Sequence, residues 1–327
     1  AWIKHATAII DHFKPQDLAN SIWACGRLEI HPSKDFVKAW IKHATAIIDH
    51  FKPQDLANSI WACGRLEIHP SDDFINAWIN HATATIDQFN HQNLANSIHD
   101  IFILNVLCNS KIKVPQQFID SVNSNTTLFN NEEISQILKA HFYFSKTGTG
   151  ILTSQNRQLL ERKYKSTLEP CRTSNLQLDI LKVVKKVLAQ HDIKREFYIK
   201  HIASNVDIFI KGKNIVIQVD GPSHFDDNNA PNFSTRLNST LLSLYQYKVL
   251  RIPYWNWDKC KTMASKERYI SELISIDEPV SEEAQACEEI FYNAIDDPSV
   301  IATHQVSSDS EIQVLGDIDS SHDARGL

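Results

Sequence analysis

The sequence predicts an α-helical repeat solenoid built of helix pairs, followed by a small α/β domain. Residues 1–38 and 39–76 are nearly the same segment written twice, and a third copy begins at Ala77. This 38-residue period predicts stacked helix pairs, because one pair cannot bury its apolar face alone. After about residue 190 the apolar residues alternate along the chain instead of recurring at helical spacing, which is typical of strands.

Each repeat is predicted to contain two helices joined by short turns. Ser71 is placed to cap a helix that extends to Phe89, with aromatic and alanine side chains on one stripe. Pro53 opens the other helix, where its missing N–H costs nothing, and Gly64 is predicted to end it. The pattern continues into a diverged fourth unit, so residues 1–145 are assigned to the array.

Two sets of side chains in the repeats are candidates for contact with a ligand. Tryptophan at helical spacing is more often core than a stacking platform, and we therefore predict the tryptophans Trp2, Trp23, Trp40, Trp61 and Trp78 to be buried. Polar residues kept in the copies are the better surface candidates: Asn20, Asn58 and Asn96 with Ser21, Ser59 and Ser97. Their polar groups either read base edges or cap neighbouring helices.

Charge is distributed unevenly along the chain. Residues 277–327 carry thirteen Asp and Glu against one basic residue, and we expect an acidic, disordered tail. The other residues carry 32 Lys and Arg against 26 Asp and Glu, which suits either a polyanion-binding surface or an ordinary solvated one. Residues 146–192 are predicted to be a basic, helical connecting region, and Lys185, Lys186 and Arg195 are candidate phosphate contacts.

Composition limits the class and the compartment. The chain of 327 residues has room for two ordinary domains, and it contains no run of about 18 apolar residues, so no membrane partner is expected. The six cysteines form no CxxC pair or disulfide framework, which favours an intracellular, reducing compartment. We expect the cytoplasm if the source is bacterial and an organelle if it is eukaryotic.

The repeat motif resembles a known family. The 38-residue period with Leu56-Ala57-Asn58-Ser59-Ile60-Trp61-Ala62 is similar to the octotricopeptide repeat, a helix-pair repeat of RNA-binding proteins. This resemblance covers about 145 residues, and the fourth unit departs from it freely. It implies single-stranded RNA as the partner and no small-molecule cofactor.

The C-terminal part reads as a mixed α/β domain. A basic helix over 176–189 is followed by predicted strands over 196–200, 206–210 and 214–220, of which the last two form a hairpin around Lys211-Gly212-Lys213. A helix over 234–245, a strand over 248–252 and a helix over 266–276 complete the order. Such an order favours a small α/β domain with a mixed sheet.

The stretch over 193–276 closely resembles the RAP domain. The residues that carry the likeness are Val219-Asp220-Gly221-Pro222-Ser223-His224-Phe225, together with Arg251-Ile252-Pro253-Tyr254-Trp255-Asn256-Trp257. Octotricopeptide repeats followed by a RAP domain are a known pairing. The resemblance implies an RNA-binding protein that acts on transcript processing, stability or translation.

The RAP fold is in turn similar to the restriction-endonuclease-like fold, whose sites cluster carboxylates at a strand end to hold Mg²⁺. The residues that would be catalytic in such a nuclease are Asp207, Gln218, Asp220 and His224, with Glu196 upstream, and Asp207 and Asp220 are the candidate metal ligands. The nuclease pattern Glu-x-Lys is replaced here by Gln218-Val219-Asp220, so no lysine is present to orient a water molecule. We favour a structural Asp-Gly-Pro turn over a cleavage site.

Three functions remain open at the level of sequence. The first is an RNA binder whose repeats hold single-stranded bases while the RAP domain contacts the backbone. The second is a Mg²⁺-dependent RNA endonuclease that uses the RAP domain. The third is an adaptor that binds protein, since helix-pair solenoids also bind peptides.

Overall fold

The computed structural model describes residues 2–148, 150–167 and 173–275, and residues up to Ile270 belong to one compact unit. The described chain is mostly helical, with one four-stranded mixed sheet towards its C-terminal end. Its helices are α1 (Trp2–Ile9), α2 (Pro15–Arg27), α3 (Lys34–Ile47), α4 (Pro53–Arg65), α5 (Asp72–Ala84), α6 (His91–Leu107), α7 (Gln116–Ser124), α8 (Asn131–Thr147), α9 (Ser154–Thr167), α10 (Asn175–Val187), α11 (Phe233–Leu244), α12 (Tyr254–Lys259) and α13 (Met263–Ser275). Its strands are β1 (Ile193–Ile199), β2 (Ser204–Ile210), β3 (Ile215–Asp220) and β4 (Lys248–Pro253). The predicted acidic tail, residues 277–327, lies outside the described residues.

The sequence repeats have the same local structure. Helices α1, α3 and α5 pack side by side in one layer, while α2, α4, α6 and α8 pack side by side in the other. The indole N–H of Trp40 donates to the Leu18 carbonyl at 2.9 Å, and that of Trp78 to the Leu56 carbonyl at 3.0 Å. These equivalent hydrogen bonds join the two layers, so the prediction of core tryptophans is confirmed at both positions.

The same prediction is wrong for two other tryptophans. Trp2 is 55% exposed and Trp23 is 39% exposed, whereas Trp61 is half-buried. Trp2 lies in α1, and among the described helices of its layer α1 packs against α3. Trp23 lies on the outward side of α2, and its ring centroid is 6.3 Å from that of Trp61.

Helix ends explain two departures from the sequence prediction. Ser71 caps α5 as predicted, with its hydroxyl accepting from the Phe74 N–H at 3.3 Å, but α5 ends at Ala84 rather than Phe89. A tighter 3-10 turn follows, because the chain must reach an extended conformation before α6 begins. Gly64 lies inside α4 and not beyond its end; a Cβ there would lie 3.1 Å from Cγ2 of Ile103, so this glycine permits close packing of α4 on α6.

The predicted mixed sheet is confirmed. Its strand order is β1-β2-β3-β4, with β1, β2 and β3 antiparallel and β4 parallel to β3. The predicted hairpin joins β2 to β3, and Gly212 adopts a φ of 81° in its turn, which favours glycine. Helix α9 lies in the connecting region that was predicted to be helical, whereas helix α12 was not predicted. Within the described ranges no helix is both long and apolar enough to cross a membrane.

The α6 and α8 helices pack against the region that carries the sheet. Helix α8 contacts the 3-10 turn between β1 and β2, and α11 contacts α6. The His201 ring in that turn lies between Phe142 of α8, at 5.6 Å, and Tyr245, at 5.3 Å between ring centroids. The Arg65 guanidinium lies 4.3 Å from the Phe233 ring centroid of α11. These contacts leave a cleft between the helical layer and the sheet.

Candidate functional site

Matching positions of α2, α4, α6 and α8 form a row along the layer of these helices. Each of these four helices carries an amide side chain inside its second turn, and the residue three positions later is a ring or a cation. The row consists of Asn20 and Trp23 in α2, Asn58 and Trp61 in α4, Asn96 and His99 in α6, and Gln136 and Lys139 in α8. We call these eight residues the interface row. Asn20 is exposed, whereas Asn58 and Asn96 are half-buried.

The serines beside these amides are not on the surface. Ser21, Ser59 and Ser97 are 5%, 0% and 0% exposed, and the Ser21 hydroxyl donates to the Leu18 carbonyl at 2.8 Å. The prediction that these serines lie on the surface is therefore wrong. The residue after each amide points about 100° further around the helix, and there it faces the core between the two layers.

A cleft of about 650 Å³ separates the helical layer from β2, β3 and α11. Its helical wall includes four members of the interface row together with two neighbours: Trp61, Arg65, His99, Asp100, Gln136 and Lys139. Its other wall carries Asn205, Asp207, Gln218, His224, Asn238 and Arg251. The cleft has the volume of a small-molecule or single-nucleotide site and is lined mostly by polar side chains.

On the sheet side of the cleft, strands β2 and β3 separate. The ladder between β2 and β3 ends at Ile208 and Ile217. Beyond it the Asp207 N–H donates to Oε1 of Gln218 at 3.2 Å, and the Val219 N–H donates to Oδ2 of Asp207 at 2.6 Å. The two side chains thus replace backbone ladder bonds and hold the strands apart at the edge of the cleft.

The surroundings of Asp207 shift the pKa of its carboxyl. Burial raises the pKa of this carboxyl above its ordinary value, while hydrogen bonds from the Val219 N–H and the Gln177 side chain lower it in part. Glu196 in β1 adds to the rise by repulsion, and Oε1 of Glu196 is itself buried without a hydrogen-bond partner among the described residues. The structure therefore brings Glu196 and Gln218 close to Asp207.

Asp220 is held by an arginine that the sequence prediction did not use for this purpose. Asp220 is 1% exposed, and both of its carboxylate oxygens accept from the Arg251 guanidinium, with Nε at 2.7 Å from Oδ2. Arg251 also donates to the Ser239 hydroxyl at 2.9 Å. Nδ1 of His224 lies 3.4 Å from Oδ1 of Asp220 and 3.3 Å from the Thr235 hydroxyl. This network fixes the Asp-Gly-Pro turn at the end of β3.

A magnesium site at Asp207 and Asp220 does not fit these contacts. Both oxygens of Asp220 accept from a cation, and both oxygens of Asp207 accept hydrogen bonds from Gln177 and the Val219 backbone. Mg²⁺ relies on available carboxylate charge to stay bound. Among the residues that the structure describes, no three His, Cys, Asp or Glu side chains are grouped so as to hold a metal ion.

The three predicted phosphate contacts lie elsewhere. Lys185 and Lys186 are exposed on α10, and Arg195 is exposed on β1. Lys186 forms an ion pair with Glu267 of α13. These three residues are not part of the cleft lining.

The cleft also contains residues that the sequence prediction overlooked. Asp100 and Lys139 were not singled out, yet the repeat period itself marks them. The first two copies have Trp-Ala where the third has His99-Asp100, and Lys139 occupies the equivalent ring position of the fourth. A departure from a nearly perfect repeat is the signal that would have found them.

The C-terminal part of the chain is similar to a known domain family. No curated protein matches the chain. Residues 217–273, which extend from β3 into α13, match the family model of the RAP domain. RAP domains are generally associated with RNA binding. The matched residues include Gln218, Asp220, His224 and Arg251, so the sheet wall of the cleft lies largely within the part of the chain that is similar to a RAP domain.

Proposed function

We propose that this protein binds single-stranded RNA along the interface row and in the cleft beside it, and that it acts on the processing, stability or translation of transcripts. The helix pairs serve as a solenoid of the octotricopeptide type. The RAP-like region closes one side of the RNA path where the row enters the cleft.

The observation that carries this proposal is the continuity of the row with the cleft. Trp23 is exposed beside Asn20, and its ring lies 6.3 Å from the Trp61 ring, which lines the cleft. Successive aromatic faces accept bases of any sequence by stacking, and amides beside them reach base edges. A strand laid along α2 and α4 is thus led towards His99 and Lys139.

Charge in the cleft supports the same ligand. Lys139 forms no hydrogen bond or ion pair with the described residues, and burial lowers the pKa of its ammonium below the ordinary value. A phosphate group brought to such an ammonium offsets the cost of its burial. The Arg65 guanidinium, already paired with Glu29, lies on the same wall.

The contacts of Asp220 favour binding over cleavage. A metal-dependent nuclease needs carboxylates free to hold the ion, and the Arg251 ion pair occupies both oxygens of Asp220. We therefore expect purified protein to leave labelled RNA intact in the presence of Mg²⁺. Cleavage that depends on Mg²⁺ and is abolished by Asp207→Ala or Asp220→Ala in a folded protein would instead support the endonuclease alternative.

The binding proposal is tested with two exposed tryptophans. Fluorescence anisotropy with labelled oligouridine of about 12 nucleotides measures the affinity of the full chain. Trp23→Ala should weaken binding roughly 5- to 150-fold, because one stacked base contributes about 1–3 kcal/mol. Trp2→Ala is the matched control, since Trp2 is also exposed but lies on α1 in the opposite layer.

Two results would count against RNA binding along the row. One is an equal loss of affinity in the two tryptophan variants, which would place the RNA elsewhere. The other is an affinity that does not change between low and high salt, because phosphate contacts release counterions and weaken steeply as salt rises. A salt-independent interaction with peptides would support the adaptor alternative.

A further inference from the structure

The third repeat carries a buried carboxyl at a position where the other near-identical copies have alanine. Ala24 and Ala62 correspond to Asp100 at the 38-residue period. Asp100 is 1% exposed; its Oδ1 lies 3.4 Å from Nδ1 of His99, and its Oδ2 has no hydrogen-bond partner among the described residues. Packing does not require this carboxyl, because alanine at the same position of α4 is completely buried.

An unpartnered buried carboxyl costs free energy, so its presence calls for a reason. Burying a polar group without a hydrogen bond disfavours the folded state. Burial raises the pKa of the Asp100 carboxyl, and the neighbouring His99 lowers it only in part. The charged form of Asp100 is therefore the costly one. A ligand that donates hydrogen bonds to Oδ2 would remove the penalty.

A second buried acceptor lies in the same cleft. Gln136 of α8 donates from Nε2 to Oδ1 of Asn96 at 3.2 Å, which leaves its Oε1 facing no donor within the described structure. Both Asp100 and Gln136 line the cleft, and so does the Lys139 ammonium, which is also without a partner there. The helical wall therefore combines two acceptors that lack donors with one cation.

We infer that the cleft takes one base of the bound strand and that Asp100 selects guanine, whose edge presents two adjacent N–H donors. This inference rests on the proposed RNA binding and adds the position and the chemistry of base selection. A carboxylate accepts from base N–H and amino donors, and a well-aligned pair of such bonds discriminates strongly between bases. Uracil offers one N–H between two carbonyl oxygens, which a carboxylate repels.

The interface row thus divides into two parts with different tasks. At Trp23 and Trp61 the rings stack on bases without regard to sequence. At His99 the ring position is smaller and polar, and Asp100 behind it supplies the acceptor. Lys139 supplies the positive charge that a nucleotide needs when it leaves bulk water.

The test compares oligouridine with the same strand in which a single guanine replaces uridine at each position in turn. The measured quantity is the ratio of the two dissociation constants for the full chain. At the best position we expect guanine to strengthen binding by about 10-fold.

Asp100→Ala, which introduces the residue that the first two repeats carry, should reduce the ratio to about 1, and Asp100→Asn should reduce it in part. Asp87→Ala, which removes an exposed carboxyl in the 3-10 turn after α5, is the matched control and should keep the ratio of the unaltered protein.

The possible failures are distinguishable. If the unaltered chain binds oligouridine but shows no preference for guanine, or if Asp100→Ala keeps the preference, the inference about Asp100 is overturned and RNA binding stands. If the unaltered chain binds none of the strands, the proposed function fails and the inference fails with it. Circular dichroism of Asp100→Ala and Asp100→Asn confirms that both variants are folded before the ratios are compared.

Discussion

Replacing Asp100 by alanine is expected to stabilise the protein while it removes base selection. The carboxyl is 1% exposed and its Oδ2 has no partner among the described residues, so the folded state bears the desolvation cost of an unsatisfied group, about 1–3 kcal/mol. Alanine also has a higher helix propensity than aspartate, by roughly a few tenths of a kcal/mol. The space left by the carboxyl opens onto the cleft, where water can enter, so we expect no large cavity penalty.

The pH dependence of this gain follows from the direction of the pKa shift. The folded-state pKa of Asp100 lies above its ordinary value of 3.8, so ionisation of this carboxyl favours the unfolded state. The ionisation penalty is absent below the unfolded-state pKa, grows as pH rises through the folded-state pKa and is complete above it. The stability advantage of Asp100→Ala over the unaltered protein should therefore be larger at neutral pH than at roughly pH 4.

Thermal unfolding of the two proteins measures this effect. At neutral pH we expect the midpoint of Asp100→Ala to rise by roughly 2–8 °C in a chain of this size. Asp100→Asn should show a smaller rise, because the amide removes the charge but keeps a buried polar group. A lower midpoint for Asp100→Ala at neutral pH would show that the carboxyl is satisfied in the folded state and would refute the reasoning.

Three further outcomes follow from the structure and the sequence. Arg251→Ala should lower the free energy of unfolding in urea by about 3–5 kcal/mol, because it leaves the Asp220 carboxylate buried without its cation; a loss below about 1 kcal/mol would contradict the ion pair. Trp78→Phe should cost about 1–3 kcal/mol in the same assay, since the buried Leu56 carbonyl loses the indole donor at 3.0 Å; an unchanged unfolding curve would refute this. Removal of residues 277–327 should tighten RNA binding at low salt, because thirteen carboxylates no longer compete for the basic surface; equal affinity of both chains at low ionic strength would disprove the competition.

Much of the fold was predictable because it depends on local pattern. The repeat period placed α2 and α4, the cap at Ser71 placed the start of α5, and alternation of β-branched residues placed β2 and β3 with their hairpin. Element ends were less predictable. The interruption after Ala84 depends on how the chain must turn to begin the next helix, which a periodic stripe does not encode.

The candidate site was predictable only in part. Asp207, Gln218 and His224 were singled out from the sequence as candidate site residues, and all three line the cleft. Spacing could not show which amide neighbours were buried, because Asn58 and Ser59 differ by one step around the helix and only the packed second layer decides which faces solvent. The three serines were therefore assigned to the surface wrongly.

By itself the sequence determined the helix pairs, the mixed sheet and the stretch similar to a RAP domain, since each depends on residues close together along the chain. The tertiary structure decided which side chains of those elements meet and which are buried. Asp220 and Arg251 are 31 residues apart and meet only because β4 pairs with β3. Asp100 becomes a costly, available acceptor only because α6 faces the sheet region across the cleft. Burial and partners are properties of the packed chain, and they distinguish a structural carboxylate from one that is available to a ligand.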